Sequence, residues 1–76
     1  MKHELKLDTL FFGSVFSGLK TFEIRFNDRD YQVGDVLILK EWDWALDSFT
    51  GREIEKIVTY VTNYEQKDGY VVMAII

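Results

Sequence analysis

Apolar and polar positions change their period several times along the chain, and each change marks an element. His3, Leu5 and Leu7 alternate with Glu4 and Lys6, the period of two that a short strand requires. After Asp8 the period lengthens: Phe11, Phe12, Val15, Phe16 and Leu19 share one helical stripe. Asp8 is placed as the helix N-cap, where a carboxylate accepts from free backbone N–H groups and suits the helix dipole. Gly18 is placed to end the helix. The opposite face holds Gly13, Ser14 and Ser17, with Leu10 beside them and no charge. A solvated helix face normally carries charge. This one therefore either borders a cleft or is the Ser/Gly-rich side of a short helix.

From Lys20 the period returns to two, with Phe22, Ile24 and Phe26 on one side and Thr21, Glu23 and Arg25 on the other. Asn27–Asp30 and Tyr31–Asp35 read as two successive turns, and Val36–Trp42 as an apolar strand. A loop is expected over Asp43–Gly51, holding Trp44 and Phe49. Arg52–Asn63 is β-rich, and the switch of phase between Ile54, Val58 and Tyr60 and the pair Ile57 and Val61 predicts burial on both faces or a bulge. Lys67-Asp68-Gly69 reads as a hairpin turn before a last strand, Tyr70–Ile76. Strand, helix and four further strands make a mainly β (α+β) chain. The economical solution is a strongly curved sheet or small pseudo-barrel of about five strands, with the helix at one end and residues 1–76 as a single domain.

Composition narrows the chemistry. With no Cys there is no disulfide and no thiolate metal site, and one His leaves little for zinc, so no metal and no cofactor are expected. Stability must come from packing, for which 47% hydrophobic and 16% aromatic content is ample. The longest uncharged run, Thr9 to Leu19, is too short for a bilayer span, and the first residues are too charged for a signal peptide. No membrane association and a cytoplasmic location are expected. Nine basic against thirteen acidic residues give a net charge of −4, which argues against a broadly basic nucleic-acid binder. The excess is uneven: residues 1–34 are balanced, with five of each sign, and the whole excess lies in residues 35–76.

The balanced half contains the densest polar cluster. Lys20 stands at the junction of helix and strand, Thr21, Glu23 and Arg25 share a strand face, and Asn27, Asp28, Arg29 and Asp30 follow. Lys and Arg can grip a phosphate or carbonyl oxygen, and Glu can accept from a base N–H. Spacing alone leaves two readings open: a ligand-holding cluster, or an exposed strand face whose alternating charges stabilise pairing. The aromatics of the Glu41–Phe49 stretch could likewise stack on a base. They could equally cap an open barrel end or make a dimer contact, since Glu41, Asp43 and Asp47 would repel phosphate. Tyr60, Tyr64 and Tyr70 read as packing residues.

Gly18-x-Lys20-x-x-Glu23-x-Arg25 resembles the G-x-K-x-x-E-x-R signature of ASCH domains in the PUA-like superfamily. The wider runs His3–Lys6, Lys20–Tyr31, Val33–Leu37, Glu41-Trp42, Thr50–Arg52 and Gly69–Val72 look like small, functionally unassigned ASCH-like proteins of bacteria and phages. The resemblance implies a small pseudo-barrel that binds RNA, a nucleotide or a modified base in a cleft between helix and barrel. Gly18, Lys20, Thr21, Glu23, Arg25, Asn27 and Arg29 would be the ligand contacts. It also makes the Gly13, Ser14 and Ser17 face the opposite wall and His3 a further polar contact, although His3 also reads as an ordinary strand-end residue. Some relatives hydrolyse the acetyl amide of N4-acetylcytidine with a Lys, a nearby Thr and a distant Glu. Here Lys20 would be the catalytic residue, but Glu23 stands where those enzymes have the Thr, and the distant Glu has no counterpart. A non-catalytic binding module is therefore the leading expectation. A small amidohydrolase and a protein-interaction module, using the acidic half and the Trp loop, are the alternatives.

Overall fold

The structure, a computed structural model, describes residues 1–76. The elements are β1 (Lys2–Asp8), α1 (Thr9–Phe16), β2 (Phe22–Phe26), β3 (Val36–Asp43), β4 (Ser48–Thr62) and β5 (Tyr70–Ile75). The strands form one mixed sheet in the order β1-β3-β4-β5-β2. β1 and β3 run parallel, and every other pair is antiparallel. The α1 helix fills the start of the crossover that parallel pairing demands. The protein is thus mainly β with one helix after the first strand, a small pseudo-barrel.

Curvature comes from β4. Its first half pairs with β3 and its second half with β5, and the register shifts between Val58 and Tyr60. The extra residue, Thr59, is a bulge, one of the two outcomes that the change of phase in the sequence allows, and a bulge sharpens strand twist and bending. The two outer strands, β1 and β2, come together as the lips of an open seam. Arg25 of β2 spans it, donating from Nη2 to the Lys6 carbonyl of β1 at 2.8 Å.

The core joins Leu5 and Leu7 of β1, Leu37 and Leu39 of β3, Val58 of β4 and Val71, Met73 and Ile75 of β5. Phe12 and Val15 enter from α1, which packs against β1 and β3. The predicted helical stripe is therefore too wide. Phe11 and Phe16 are exposed, and Leu19 lies beyond the helix in solvent. The helix has only eight residues and touches the barrel along one narrow line. Asp8 does cap it, its Oδ1 accepting from the Leu10 N–H at 2.8 Å. At the other end the Ser14 carbonyl accepts from both Leu19 and Lys20 N–H, with Gly18 at φ +81°. That left-handed turn is where glycine serves best.

The faces of β2 are the main surprise. Phe22, Ile24 and Phe26 point to solvent, while Glu23 is 2% exposed. Pairing with β5 enforces this: Glu23 lies opposite Met73 and Arg25 opposite Val71, on the inner face, and Ile24 lies opposite Val72 on the outer one. The reading of Glu23 and Arg25 as an exposed charged face is thus corrected. A period of two defines two faces without saying which is inside.

The expected loop over Asp43–Gly51 is mostly strand. β3 runs to Asp43, β4 begins at Ser48, and Phe49 pairs with Trp42 across a tight hairpin. Trp42 meets Trp44 and Phe49 edge to face, with ring centroids 5.8 and 4.8 Å apart. Aromatic pairs of this geometry stabilise cross-strand pairing.

Candidate ligand-binding cleft

A cavity of about 520 Å³ opens on the seam. β1 supplies Lys6, Leu7 and Asp8, and β2 supplies Phe22, Glu23, Ile24 and Arg25. Phe11 forms the helix side, Lys20 enters from the junction, and Trp42 and Trp44 close the far end. A second cavity of about 570 Å³ continues along the same seam and shares Lys6 and Arg25 with the first.

Glu23 organises the charge. Its Oε1 accepts from Lys20 Nζ at 3.1 Å and its Oε2 from Arg25 Nε at 2.9 Å. Lys20 Nζ also donates to the Phe22 carbonyl at 2.8 Å and lies 4.6 Å from the Phe22 ring centroid. A buried carboxylate needs such partners. A carboxylate offers about four acceptor positions, so two donors leave Glu23 capacity to accept more. Trp42 contributes the opposite feature: its Nε1 is buried and has no acceptor.

Of the seven residues anticipated as ligand contacts, Lys20, Glu23 and Arg25 meet in this cleft. Arg29 lines the second cavity instead, 4.0 Å from Asp28. The others have structural roles away from it. Gly18 turns the chain out of the helix. Thr21 is exposed, and its carbonyl accepts from the Ile75 N–H. Asn27 Oδ1 accepts from the Tyr31 N–H at 3.0 Å and braces the following turn. His3 is also absent from the cleft. It is buried, not a loose strand end, with Nε2 2.8 Å from Asp35 Oδ2 and its ring edge-on to Tyr31. Nor do Gly13, Ser14 and Ser17 form the opposite wall; a Cβ on Gly13 would meet open space. Phe11 takes that position, because the helix leans on the barrel along Phe12 and Val15. The Trp pair, expected to cap the barrel or bridge a dimer, lies in the same cleft as the polar cluster. Lys6 was not anticipated. Its place on the seam depends on where β1 lies relative to β2, and no local pattern carries that.

A second buried carboxylate holds the barrel behind the cleft. Glu41 is 1% exposed. It accepts from Thr9 at 2.8 Å, from Arg52 Nε and Nη2 at 2.8 Å each, and from the Thr50 hydroxyl. Between Lys40 and Trp42 the register with β4 shifts, so Thr50, Gly51 and Arg52 oppose Glu41 alone. Gly51, at φ +97°, makes that bulge possible. Glu41 is therefore buried and paired with the exposed Arg52 guanidinium, so it presents no free charge to a ligand, contrary to its expected repulsion of phosphate. The Arg52 side chain, helped by the two threonines, holds its carboxyl well below the usual range, at about 2. Asp35 is likewise lowered to about 2, by His3, the Gln32 N–H and the N-terminal ammonium.

Both shifts have the same sign. A depressed carboxylate stabilises the fold above its unfolded pKa, and the contribution disappears as pH falls through the folded value. Urea midpoints should hold steady down to about pH 4.5 and then fall steeply towards pH 2. Glu41→Gln should flatten part of that fall. A midpoint unchanged between pH 5 and 2 would contradict the network.

Fold and site together define a class: a small mixed-sheet pseudo-barrel with a polar and aromatic cleft along its open seam. Residues 2–75 match the family model described as a domain of unknown function, DUF3850, and the chain belongs to that family. It is also similar to the "Uncharacterized 12.9 kDa protein in GpA 3'region" of Escherichia phage P2, with 46% identity over 61 residues. That match covers 80% of this chain and 54% of the phage protein, so the chain corresponds to about half of its relative's length. No helix is long and apolar enough to cross a membrane.

Proposed function

We propose that this chain is a binding module for a single base of RNA or a modified nucleoside, held in the seam cleft. The observation that carries the reading is the buried Glu23 carboxylate, clamped by Lys20 and Arg25 at the floor of an aromatic-walled cavity. Such a carboxylate accepts from a base amino or imino group, and the flanking cations donate to a base carbonyl. Stacking on an aromatic contributes about 1–3 kcal/mol per base, and Trp44, Phe11 and Phe22 offer faces for it. The balanced charge of the cleft fits one base better than a long phosphate track. The likeness of Gly18-x-Lys20-x-x-Glu23-x-Arg25 to the ASCH signature supports the same reading.

Amide hydrolysis in the same cleft has weaker support. A nucleophilic lysine needs its lone pair free, and both contacts of Lys20 are donations. Thr21 is directed elsewhere, and Glu23 occupies the position at which a hydroxyl would be expected.

Titration of the ¹⁵N-labelled protein with the four ribonucleosides and N4-acetylcytidine tests the proposal. At least one should shift β1 and β2 amides and quench Trp fluorescence in the millimolar range or below, and Glu23→Gln should abolish both effects. No response to any of the five, or responses confined to surfaces away from the seam, would reject it. Mass detection of cytidine released from N4-acetylcytidine reads the hydrolytic alternative in the same samples.

A further inference from the structure

Lys6 is the one cation around the two cavities without a carboxylate partner. Lys20 and Arg25 share Glu23, Lys40 lies 2.7 Å from Glu4, and Arg29 lies 4.0 Å from Asp28. Lys6 makes no ion pair, and its Nζ has no hydrogen-bond partner. It is held instead by aromatic faces, 3.8 Å from the Trp42 ring centroid and 5.9 Å from that of Phe49. A cation–π contact positions an ammonium without neutralising it, and three N–H donors remain available.

Its position adds to this. Lys6 lines both cavities, so it stands at their junction on the seam. Arg25 is beside it, with Nη2 on the Lys6 carbonyl and Nε on Glu23, so further N–H groups of its guanidinium remain uncommitted. The two cavities together are lined by five basic and four acidic side chains, against a net charge of −4 for the whole chain. After the ion pairs are assigned and Asp8 is given to the helix cap, two positive charges remain at the seam: one shared by Lys20 and Arg25 over Glu23, and one on Lys6, which alone has no carboxylate contact.

We infer that the cleft takes its base as a nucleotide, with Lys6 the anchor for the phosphate at the junction of the two cavities. This rests on the base-binding reading above and adds the ligand's charged part. With the base against the Trp42 and Trp44 end, the ribose points along the seam and its phosphate falls between Lys6 and Arg25. Lys6 then does more than cover Trp42, since its charge is spent on the ligand. The phosphate is either that of a free mononucleotide or the linkage to the next residue of a single strand, which the second cavity would receive.

Calorimetry with the four ribonucleosides, their 5′- and 3′-monophosphates, the matching dinucleotides and inorganic phosphate separates these cases. A phosphorylated form should bind about tenfold tighter than its parent nucleoside, the scale of one charge-assisted contact. The ratio of the two affinities should fall below about threefold in Lys6→Met and persist in Lys6→Arg, and it should shrink with added salt. Dinucleotide tighter than monophosphate marks a strand, and the reverse marks a free nucleotide. If a nucleoside binds but its phosphorylated forms bind no tighter, or if the ratio survives Lys6→Met, the anchor is overturned and the base site stands. If no nucleoside or nucleotide binds, both fall together.

Discussion

Phe12→Ala should destabilise the protein by about 3–5 kcal/mol, the usual range for truncating a large buried aromatic. For a chain of this length the whole unfolding free energy is about 4–11 kcal/mol, so a large share of the molecule's stability is at stake. Phe12 is fully buried, and with Val15 it is all that the eight-residue helix sends into the core. The Arg52 guanidinium lies 4.9 Å from its ring centroid, so the same side chain packs against the arginine that neutralises Glu41. Loss of the ring should free the helix, and with it Phe11 and Asp8 at the edge of the cleft. Phe16→Ala, four residues on but 63% exposed, should cost less than about 1 kcal/mol. Urea denaturation of the two variants decides the point. Equal losses would mean that the helix is not anchored as described.

The two phenylalanines also show where sequence reasoning succeeds and where it stops. Helical period places Phe12 and Phe16 on one stripe, and both look like core. Which of them reaches the barrel depends on the crossing line of helix and sheet, a tertiary property. Capping and turns follow from local chemistry, so Asp8 and Gly18 were legible, and the bulge near Thr59 was legible as one of two outcomes. The succession of strands along the chain was legible as well, because alternating or apolar runs are separated by polar turns. The sense of each strand was not. β2 reads as apolar Phe22, Ile24 and Phe26 against polar Glu23 and Arg25, and burial follows the polar side.

The site was legible to the same degree. The cluster around Lys20 and Glu23 stands out as local density of charge, and the Trp pair as local density of aromatics. That the two share one cleft depends on β2 and the β3–β4 hairpin lying near each other across the seam, through parallel pairing of β1 with β3. Parallel neighbours are distant in sequence and leave no local mark. Glu41 reads as a phosphate-repelling charge for another reason: the register shift around Gly51 in the antiparallel β3–β4 pair buries its carboxylate beneath the exposed Arg52 guanidinium. His3 and Asp35 are a further case, thirty-two residues apart and 2.8 Å from each other.

The inverted β2 strand leads to the second large effect. Glu23→Gln should destabilise the protein by roughly 2–4 kcal/mol, somewhat less than breaking a fully buried ion pair, because Lys20 and Arg25 keep some contact with water. The amide presents one acceptor and one donor group where two cations expect two acceptors. Arg25 would lose the partner that aims it across the seam at Lys6. Ile24→Thr, on the next residue but the outer face, should change stability by no more than about 0.5 kcal/mol. A larger loss at Ile24 than at Glu23 would reverse the assignment of faces. The decisive comparison is a triple replacement, Lys20→Met with Glu23→Leu and Arg25→Leu. Exchanging a whole buried ionic group for apolar side chains of similar size is often neutral or stabilising, so stability should return towards that of the parent protein. Nucleoside binding should not return with it. Recovered folding without recovered binding would show that the charges inside β2 serve the ligand rather than the barrel. Failure of the triple variant to fold, with Ile24→Thr intact, would assign them to the barrel instead.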